Sequence, residues 1–169
     1  RRQRQMCIRD RYIATRKNVM ERFVKKGDTE VESTETYIKY GSQYQDILRA
    51  VQETEIVLRG ELNGQGVGSS GNKLNPALKE AANIRFFGID RLRGGITYKL
   101  PYAEFVAKAQ ALGIQRVPVI FEKEFSNRGE LLATCEAYFA QHVIEGIVVR
   151  TPDSKFSAKI MNNYYDSKK

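Results

Sequence analysis

The sequence predicts an α+β fold with mainly antiparallel sheets flanked by helices. Segments with strand-like composition outnumber helical segments, and the two kinds do not alternate in a βαβ rhythm. Several strand-like segments are also joined by short links rich in turn-forming residues, which is typical of antiparallel hairpins. At 169 residues, 41% of them apolar, the chain is long enough to bury a core, so we expect one domain.

The first half of the chain is predicted to hold one helix and one strand. The charged and polar residues 25–36 are interpreted as a loop. Apolar residues then recur at helical spacing and predict a helix over about 42–53. The β-branched segment 55–62 predicts a strand, and the glycine-rich residues 63–72 predict a loop after it.

The second half is predicted to begin with a hairpin and to continue with two helices. Strands over 83–90 and 96–100 are expected to pair across a glycine-containing turn. Amphipathic spacing, with a proline before and a glycine after, predicts a helix over 101–112, and similar spacing predicts another over 129–140. The alternating residues 117–121 predict a short strand between these helices.

Two short segments near the end of the sequence carry the strongest functional signal. Residues 145–150 and 156–162 each have the pattern of a strand, and the turn-rich link between them predicts a hairpin. Alternation would bury one face and direct Glu145 and Lys159 into a cleft. A metal-binding carboxylate would then lie beside a phosphate-binding amine. The alternative is a solvated cross-strand ion pair that adds little stability.

Composition limits the classes of site and location. With Cys7, Cys135 and His142 as the only cysteines and histidine, neither a disulfide framework nor a Cys/His zinc site can form. Any metal must therefore be held by oxygen atoms. We assign no chemistry to His142, which is expected just after a helix. No apolar run reaches the length of a membrane span and no signal-peptide pattern is present, so we expect no membrane partner and a cytoplasmic location.

The basic character of the chain is concentrated at its beginning. The formal charge is +8, and five arginines and one aspartate within residues 1–11 supply half of it. Residues 4–11 also resemble translated sequencing-adapter read-through. We therefore interpret residues 1–14 as non-native or as a disordered basic end, the second alternative being a natural arm available to phosphate.

Two further segments contain candidate nucleotide contacts. Glu61 ends a predicted strand just before the glycine-rich loop, where a carboxylate could accept hydrogen bonds from a ribose. The segment Phe86-Phe87-Gly88-Ile89-Asp90 could place an aromatic ring over a base, with Phe87 and Ile89 on one face and Asp90 on the other. The alternatives are an ordinary turn and an ordinary core strand, respectively.

Taken in order, these segments resemble the motifs of the covalent nucleotidyltransferases, the family of ATP-dependent polynucleotide ligases and capping enzymes. The resemblance covers residues 15–169 and is greatest to RNA ligases of the RNA ligase 2 group. The matching segments are Thr-Arg16-Lys-Asn, Gly-Glu61-Leu, Phe-Phe-Gly-Ile-Asp90, Glu145-Gly-Ile-Val-Val-Arg and Ser-Ala-Lys159-Ile-Met-Asn.

The resemblance implies an adenylyltransferase domain that uses ATP and Mg²⁺ or Mn²⁺ to join 5′-phosphate and 3′-hydroxyl RNA ends, such as those of a nicked duplex, in RNA repair. A lysine would attack ATP, AMP would pass to the 5′-phosphate, and the 3′-hydroxyl would displace it. Among the carried-over residues, Glu145 and Lys159 are catalytic. The implied roles are as follows: Arg16 contacts ribose or acceptor phosphate, Glu61 contacts ribose, Phe87, Ile89 and Asp90 contact the nucleotide, Glu145 binds metal, and Lys159 contacts the α-phosphate.

The sequence departs from the family pattern in its nucleophile. The family places a Lys-x-Asp/His-Gly motif before the arginine motif, and no such motif precedes Arg16. We expect an N-terminally truncated ligase that does not adenylylate itself, with a further domain N-terminal to this segment in the parent. The alternatives are a non-catalytic nucleotide- or nucleic-acid-binding module and a DNA ligase or capping-enzyme relative. Ile89 also stands where the family often has a stacking aromatic, which Phe87 could supply, and Met161 stands where RNA ligase 2 relatives have a second lysine.

Overall fold

A computed structural model describes residues 5–9, 12–15, 18–67 and 74–165. The mixed helix and strand content with antiparallel sheets confirms the predicted α+β class. The chain divides into two compact units, residues 1–63 with 83–117 and residues 64–82 with 118–169. The assignment of 15–169 to one adenylyltransferase domain stays a prediction. Among the described residues, no helix is long and apolar enough to cross a membrane.

The first unit is built on a six-stranded antiparallel sheet with the strand order β3-β2-β1-β6-β7-β8. Its strands are β1 (Gln5–Ile8), β2 (Ile13–Thr15), β3 (Val19–Met20), β6 (Ile56–Asn63), β7 (Asn83–Arg93) and β8 (Ile96–Lys99). A separate hairpin contains β4 (Phe23–Lys26) and β5 (Thr29–Glu32), and the helices are α1 (Thr36–Ala50) and α2 (Tyr102–Ala111).

One face of this sheet forms the core of the first unit. Leu58, Leu62 and Phe86 are almost fully buried on it, as expected for alternate residues of paired strands. Helix α1 packs on β1, β2 and β7, where the ring of Tyr44 meets Phe86 edge-on at a centroid distance of 4.8 Å. Helix α2 packs on β7 and buries Phe105.

A β-bulge at Phe87 changes which side chains of β7 face the core. Phe86 pairs with Gly60 and Gly88 pairs with Arg59, so Phe87 is the extra residue. As a result Phe86 and Ile89, three positions apart, are both buried on the helix-covered face. The sequence-based expectation that Phe87 and Ile89 follow a simple alternation is therefore wrong, because the bulge resets the period.

The beginning of the chain corrects another expectation. Met6, Ile8 and Ile13 are exposed by no more than 1%, and β1 lies between β2 and β6 in the sheet. The alternative of a disordered end is wrong for residues 5–8 and 13–14, because their alternate apolar side chains fill the core beneath α1. The interpretation of residues 1–14 as non-native stays a prediction, and residues 1–4, 10 and 11 lie outside the described part.

Three element predictions also change. Residues 25–36 are not simply a loop, because the turn at Gly27, with φ of 62°, joins β4 to β5. The first helix spans Thr36–Ala50 instead of 42–53. Residues 117–121 are not a strand: Val117 donates one bond to Phe86, and Pro118 has no N–H to continue a ladder. The hairpin of β7 and β8 and the helices near 101–112 and 129–140 are confirmed.

The second unit is a helix packed on a two-stranded hairpin. Its elements are a short 3₁₀ helix (Pro76–Leu78), α3 (Arg128–Gln141), β9 (Gly146–Arg150) and β10 (Ser157–Met161). Asn127 caps the N-terminus of α3, because its side chain accepts a hydrogen bond from the N–H of Glu130, and His142 is the C-cap. Cys135 and Phe139 of α3 form a core with Ile147 of β9. Val149 and Ile160 pack against this core from the hairpin.

Candidate functional site

The hairpin of β9 and β10 brings Glu145 and Lys159 together, as predicted, although simple strand alternation does not account for the contact. Nζ of Lys159 donates a hydrogen bond to Oε1 of Glu145 over 2.8 Å, and the two side chains are 26% and 33% exposed, respectively. Glu145 immediately precedes β9, and Lys159 lies opposite Val148 within the hairpin. The pair therefore combines opposite charges at a position that solvent and a ligand can reach.

Asn162 fixes the open end of this hairpin. Its side chain donates to the carbonyl of Ile144 over 3.0 Å and accepts from the N–H of Tyr164 over 3.0 Å. Its backbone N–H donates to the carbonyl of Glu145 over 2.9 Å. Asn162 is only 5% exposed, so these bonds restrain the backbone that carries the Glu145 carboxylate.

The hairpin face that carries Lys159 is open and partly apolar. Val148 is 55% exposed and Met161 is 48% exposed, whereas Ile147 on the opposite face is buried against Cys135. The alternation of strand side chains accounts for this difference, because only one face contacts α3. A flat ligand could lie on Val148 and Met161 while its charged groups reach Lys159.

The first unit carries the predicted carboxylates Glu61 and Asp90 on the sheet face away from its core. Glu61 lies opposite Arg85, and Asp90 lies opposite Lys99. Nη1 of Arg59 donates to Oδ2 of Asp90 over 3.2 Å, and the Asp90 side chain is only 10% exposed. Asp90 is thus held as one half of an ion pair.

Arg59 is the residue that sequence reasoning misses at this face. It is two residues before Glu61 on the same strand, so both side chains point to the same side. The period of two along 55–62 was the signal that could have found it. Cys7 lies opposite Arg59, and burial raises the pKa of the Cys7 thiol, with the charge of Arg59 opposing this effect and that of Asp90 adding to it.

Phe87 and Ile89, the other predicted nucleotide contacts on β7, differ in how far they are exposed. Phe87 is half-buried at the bulge, so its ring is partly accessible. Ile89 is only 1% exposed on the helix-covered face. Its side chain is therefore in the core, on the face away from Asp90, and its assignment as a nucleotide contact stays a prediction. Arg16 lies outside the described residues.

The described residues offer a metal ion no cluster of ligating side chains. Within them, no group of three or more His, Cys, Asp and Glu side chains is placed to hold a metal ion. A divalent ion that keeps water and phosphate oxygens as ligands needs only one or two protein carboxylates. Glu145 fits that kind of site, and a closed protein cage is excluded within the described ranges.

The fold was compared with solved structures. An RNA ligase mutant of Naegleria gruberi with ATP and Mn matches with a TM-score of 0.62 and 19% identity, over 98% of this chain and 48% of that chain. The same ligase with PPi matches with a TM-score of 0.59 and 18% identity, over 97% and 47%. An archaeal ATP-dependent RNA ligase matches with a TM-score of 0.64 and 12% identity, over 99% and 42%.

The chain shares the nucleotidyltransferase fold of these RNA ligases. It spans less than half the length of each of the three. No protein-family model matches the sequence, and no curated protein is significantly similar to it. The similarity therefore establishes the fold, which agrees with the fold that the sequence motifs imply.

Proposed function

We propose that this chain is part of an ATP-dependent RNA ligase that joins 5′-phosphate and 3′-hydroxyl RNA ends through a lysyl-AMP and an adenylylated RNA intermediate. The observation that carries the proposal is the similarity in fold, over 98% of the chain, to an RNA ligase with ATP and Mn. The ordered motifs around Glu61, Asp90, Glu145 and Lys159 support it independently of the fold. Action on nicked duplexes in RNA repair is part of the same proposal.

Lys159 supplies a fixed positive charge for the reaction. Its ammonium group is held by Glu145 over 2.8 Å, so it does not have to be ordered when the nucleotide arrives. A cation placed at the α-phosphate stabilises the negative charge that develops during nucleotidyl transfer. Lys159 is therefore the residue to which we assign α-phosphate binding.

The Glu145 carboxylate can bind a metal ion while it accepts the hydrogen bond from Lys159. Lys159 uses Oε1, and within the described structure no hydrogen bond to Oε2 of Glu145 is seen. A hard divalent ion such as Mg²⁺ or Mn²⁺ prefers carboxylate and phosphate oxygens. When bound, such an ion would neutralise phosphate charge and lower the pKa of a nearby attacking lysine.

The nucleoside is assigned to the first unit. Glu61 follows two strand positions after Arg59 and can accept hydrogen bonds from the ribose hydroxyls. The ion pair with Arg59 holds the Asp90 carboxylate in position. Phe87, half-buried at the bulge, is the aromatic ring available to a base. Arg16 keeps its assignment to ribose or acceptor phosphate on the sequence motif alone.

The sequence lacks the nucleophile motif that the family resemblance leads us to expect. No Lys-x-Asp/His-Gly motif precedes Arg16 in the sequence. We therefore expect the chain to bind ATP without forming a covalent adduct. Incubation with ATP labelled at the α-phosphate checks this point, and an acid-labile labelled protein band would contradict it.

Equilibrium binding of ATP with Mn²⁺, measured by calorimetry, tests the assigned site. Glu61→Gln should weaken ATP binding about tenfold, because a charged acceptor for the ribose is lost. Glu104→Gln, at an exposed position of α2, is the matched control and should leave the affinity unchanged. Absence of ATP binding, or equal effects of the two variants, would contradict the proposed function.

A further inference from the structure

Four side chains at the end of the β7–β8 hairpin form an exposed basic and aromatic surface. Arg91 lies opposite Tyr98, and Arg93 lies opposite Ile96, so all four point to one face of the sheet. Tyr98 is 53% exposed and Ile96 is 59% exposed. We call Arg91, Arg93, Ile96 and Tyr98 the hairpin patch.

The hairpin patch lies on the opposite face from the carboxylates assigned to the nucleotide. Asp90 and Lys99, one residue away along each strand, are directly opposite each other and point to the other side. The patch is on the same face of the sheet as Ile89 and Leu100. Both of these residues are buried, and the N–H of Leu100 donates a hydrogen bond to the carbonyl of Ile89. The side chains of the hairpin patch therefore lie beyond the edge of the core and on the opposite side of the sheet from Glu61 and Asp90.

The arginines of the hairpin patch are available to an anion. Neither Arg91 nor Arg93 has an ion pair or a side-chain hydrogen bond within the described residues. The acidic side chain of Glu53, three residues before the neighbouring strand β6, is already paired with Lys108 of α2. The patch therefore carries two positive charges that no described carboxylate neutralises.

The hairpin itself provides a defined platform. Gly94 and Gly95 form its turn with φ of 55° and 80°, the conformation that matches the twist of a two-residue hairpin. Four residue pairs from Asp90–Lys99 to Arg93–Ile96 fix the register. The separation of Tyr98 from the arginines is consequently set by backbone pairing.

We propose that the hairpin patch binds a single-stranded segment of RNA. The guanidinium groups of Arg91 and Arg93 bind phosphates, and the ring of Tyr98 stacks on an unpaired base beside the apolar surface of Ile96. Uncompensated arginines with an exposed aromatic ring favour a polyanion with flat bases over a protein partner. This surface goes beyond the proposed ATP site and does not require adenylyl transfer.

Fluorescence anisotropy with a labelled single-stranded RNA 20-mer tests the proposal on the full chain. The variant Arg91→Gln with Arg93→Gln should weaken binding at least tenfold at about 0.1 M salt. It should also lower the slope of log affinity against log salt by about 1.4, since each single-strand phosphate contact contributes about 0.7. The control is Lys25→Gln with Lys26→Gln, which removes two exposed charges from the β4–β5 hairpin.

The aromatic contact is tested separately. Tyr98→Ala should weaken binding about fivefold or more, whereas Tyr98→Phe, which keeps the ring, should bind as the parent does. Circular dichroism melting of each variant checks that the exposed substitutions leave the fold intact.

The outcomes separate this proposal from the ATP site. Loss of RNA binding in the Arg91/Arg93 and Tyr98→Ala variants with unchanged ATP binding supports the hairpin patch. The same loss in a chain that binds no ATP supports the patch and contradicts the proposed ligase site. No RNA binding by the parent chain, or equal losses in the Lys25/Lys26 control, overturns the proposal. Unchanged RNA binding in the patch variants also overturns it and would favour a protein as the partner of the hairpin patch.

Discussion

Lys159 and Glu145 form a 2.8 Å hydrogen bond even though simple strand alternation would place them on opposite faces. Lys159 lies opposite Val148, whereas the N–H of Asn162 bonds to the carbonyl of Glu145 and puts Glu145 at the next paired position. The backbone bends at Glu145, just before β9 begins. This bend allows the carboxylate to reach the amine across the strand end.

We predict that Lys159→Met weakens ATP binding at least tenfold and changes stability little. The variant removes the cation assigned to the α-phosphate, while partly exposed ion pairs contribute at most about 1 kcal/mol. Calorimetric titration with ATP and thermal unfolding measure the two effects. Lys155→Met is the control, because that side chain is 86% exposed at the hairpin turn. Equal ATP affinity of the Lys159 variant and the parent would contradict the assignment.

Gly146→Ala is predicted to destabilise the hairpin by about 2 kcal/mol. A Cβ at Gly146 would lie 2.5 Å from the carbonyl oxygen of Ile160, and relieving this contact requires the paired strands to separate. Urea unfolding measures the loss. Val148→Ala on the same strand is the control and should change stability by less than about 0.5 kcal/mol, because Val148 is 55% exposed. A similar effect of both substitutions would contradict the close approach.

Gln45→Leu is predicted to stabilise the first unit by about 1 kcal/mol. Gln45 is fully buried on α1, and neither polar atom of its side chain has a hydrogen-bond partner. An unsatisfied buried amide is unfavourable, and leucine of similar size removes it. Gln43→Leu, at an exposed position of the same helix, controls for helix propensity. A loss of stability in urea unfolding of the Gln45 variant would show that its amide is satisfied in solution.

The Arg22–Asp46 pair predicts a specific acid dependence. Hydrogen bonds from Arg22 hold the pKa of Asp46 below its usual value, with distances of 2.5 Å and 3.2 Å to its two oxygens. The pair therefore stabilises the folded state above pH of about 4, and this contribution is lost as the pH falls through the folded pKa. Because Asp46 is 56% exposed, solvent screening limits the effect to about 1 kcal/mol or less.

Urea unfolding of the parent and of Asp46→Asn at pH 7 and pH 3 measures this dependence. The parent should be the more stable protein at pH 7, and the difference should shrink at pH 3, because the unfolded chain takes up a proton on Asp46 at the usual aspartate pKa of about 4. Asp28→Asn, in the exposed turn after β4, is the control. A difference that stays constant between the two pH values would contradict the role of the ion pair.

Elements with strong local signals could be predicted from the sequence. The β7–β8 hairpin follows from its glycine turn, and α3 follows from the spacing of Cys135 and Phe139. The β4–β5 hairpin was missed because Val24 and Val31 are paired across charged residues that resemble a loop. The strand at residues 5–8 was not predicted, because burial of Met6 and Ile8 depends on α1, which is distant in sequence.

The sequence by itself determined the α+β class, the hairpin of β9 and β10, and the ordered motifs that contain Glu61, Asp90, Glu145 and Lys159. These follow from local periodicity and turn chemistry, which neighbouring residues specify. Only the tertiary structure decided that Ile89 enters the core, that Arg59 holds Asp90 and that Glu145 reaches Lys159 through a bend in the backbone. Each of these depends on a bulge, a cross-strand register or a bend, because one inserted residue moves every later side chain to the other face.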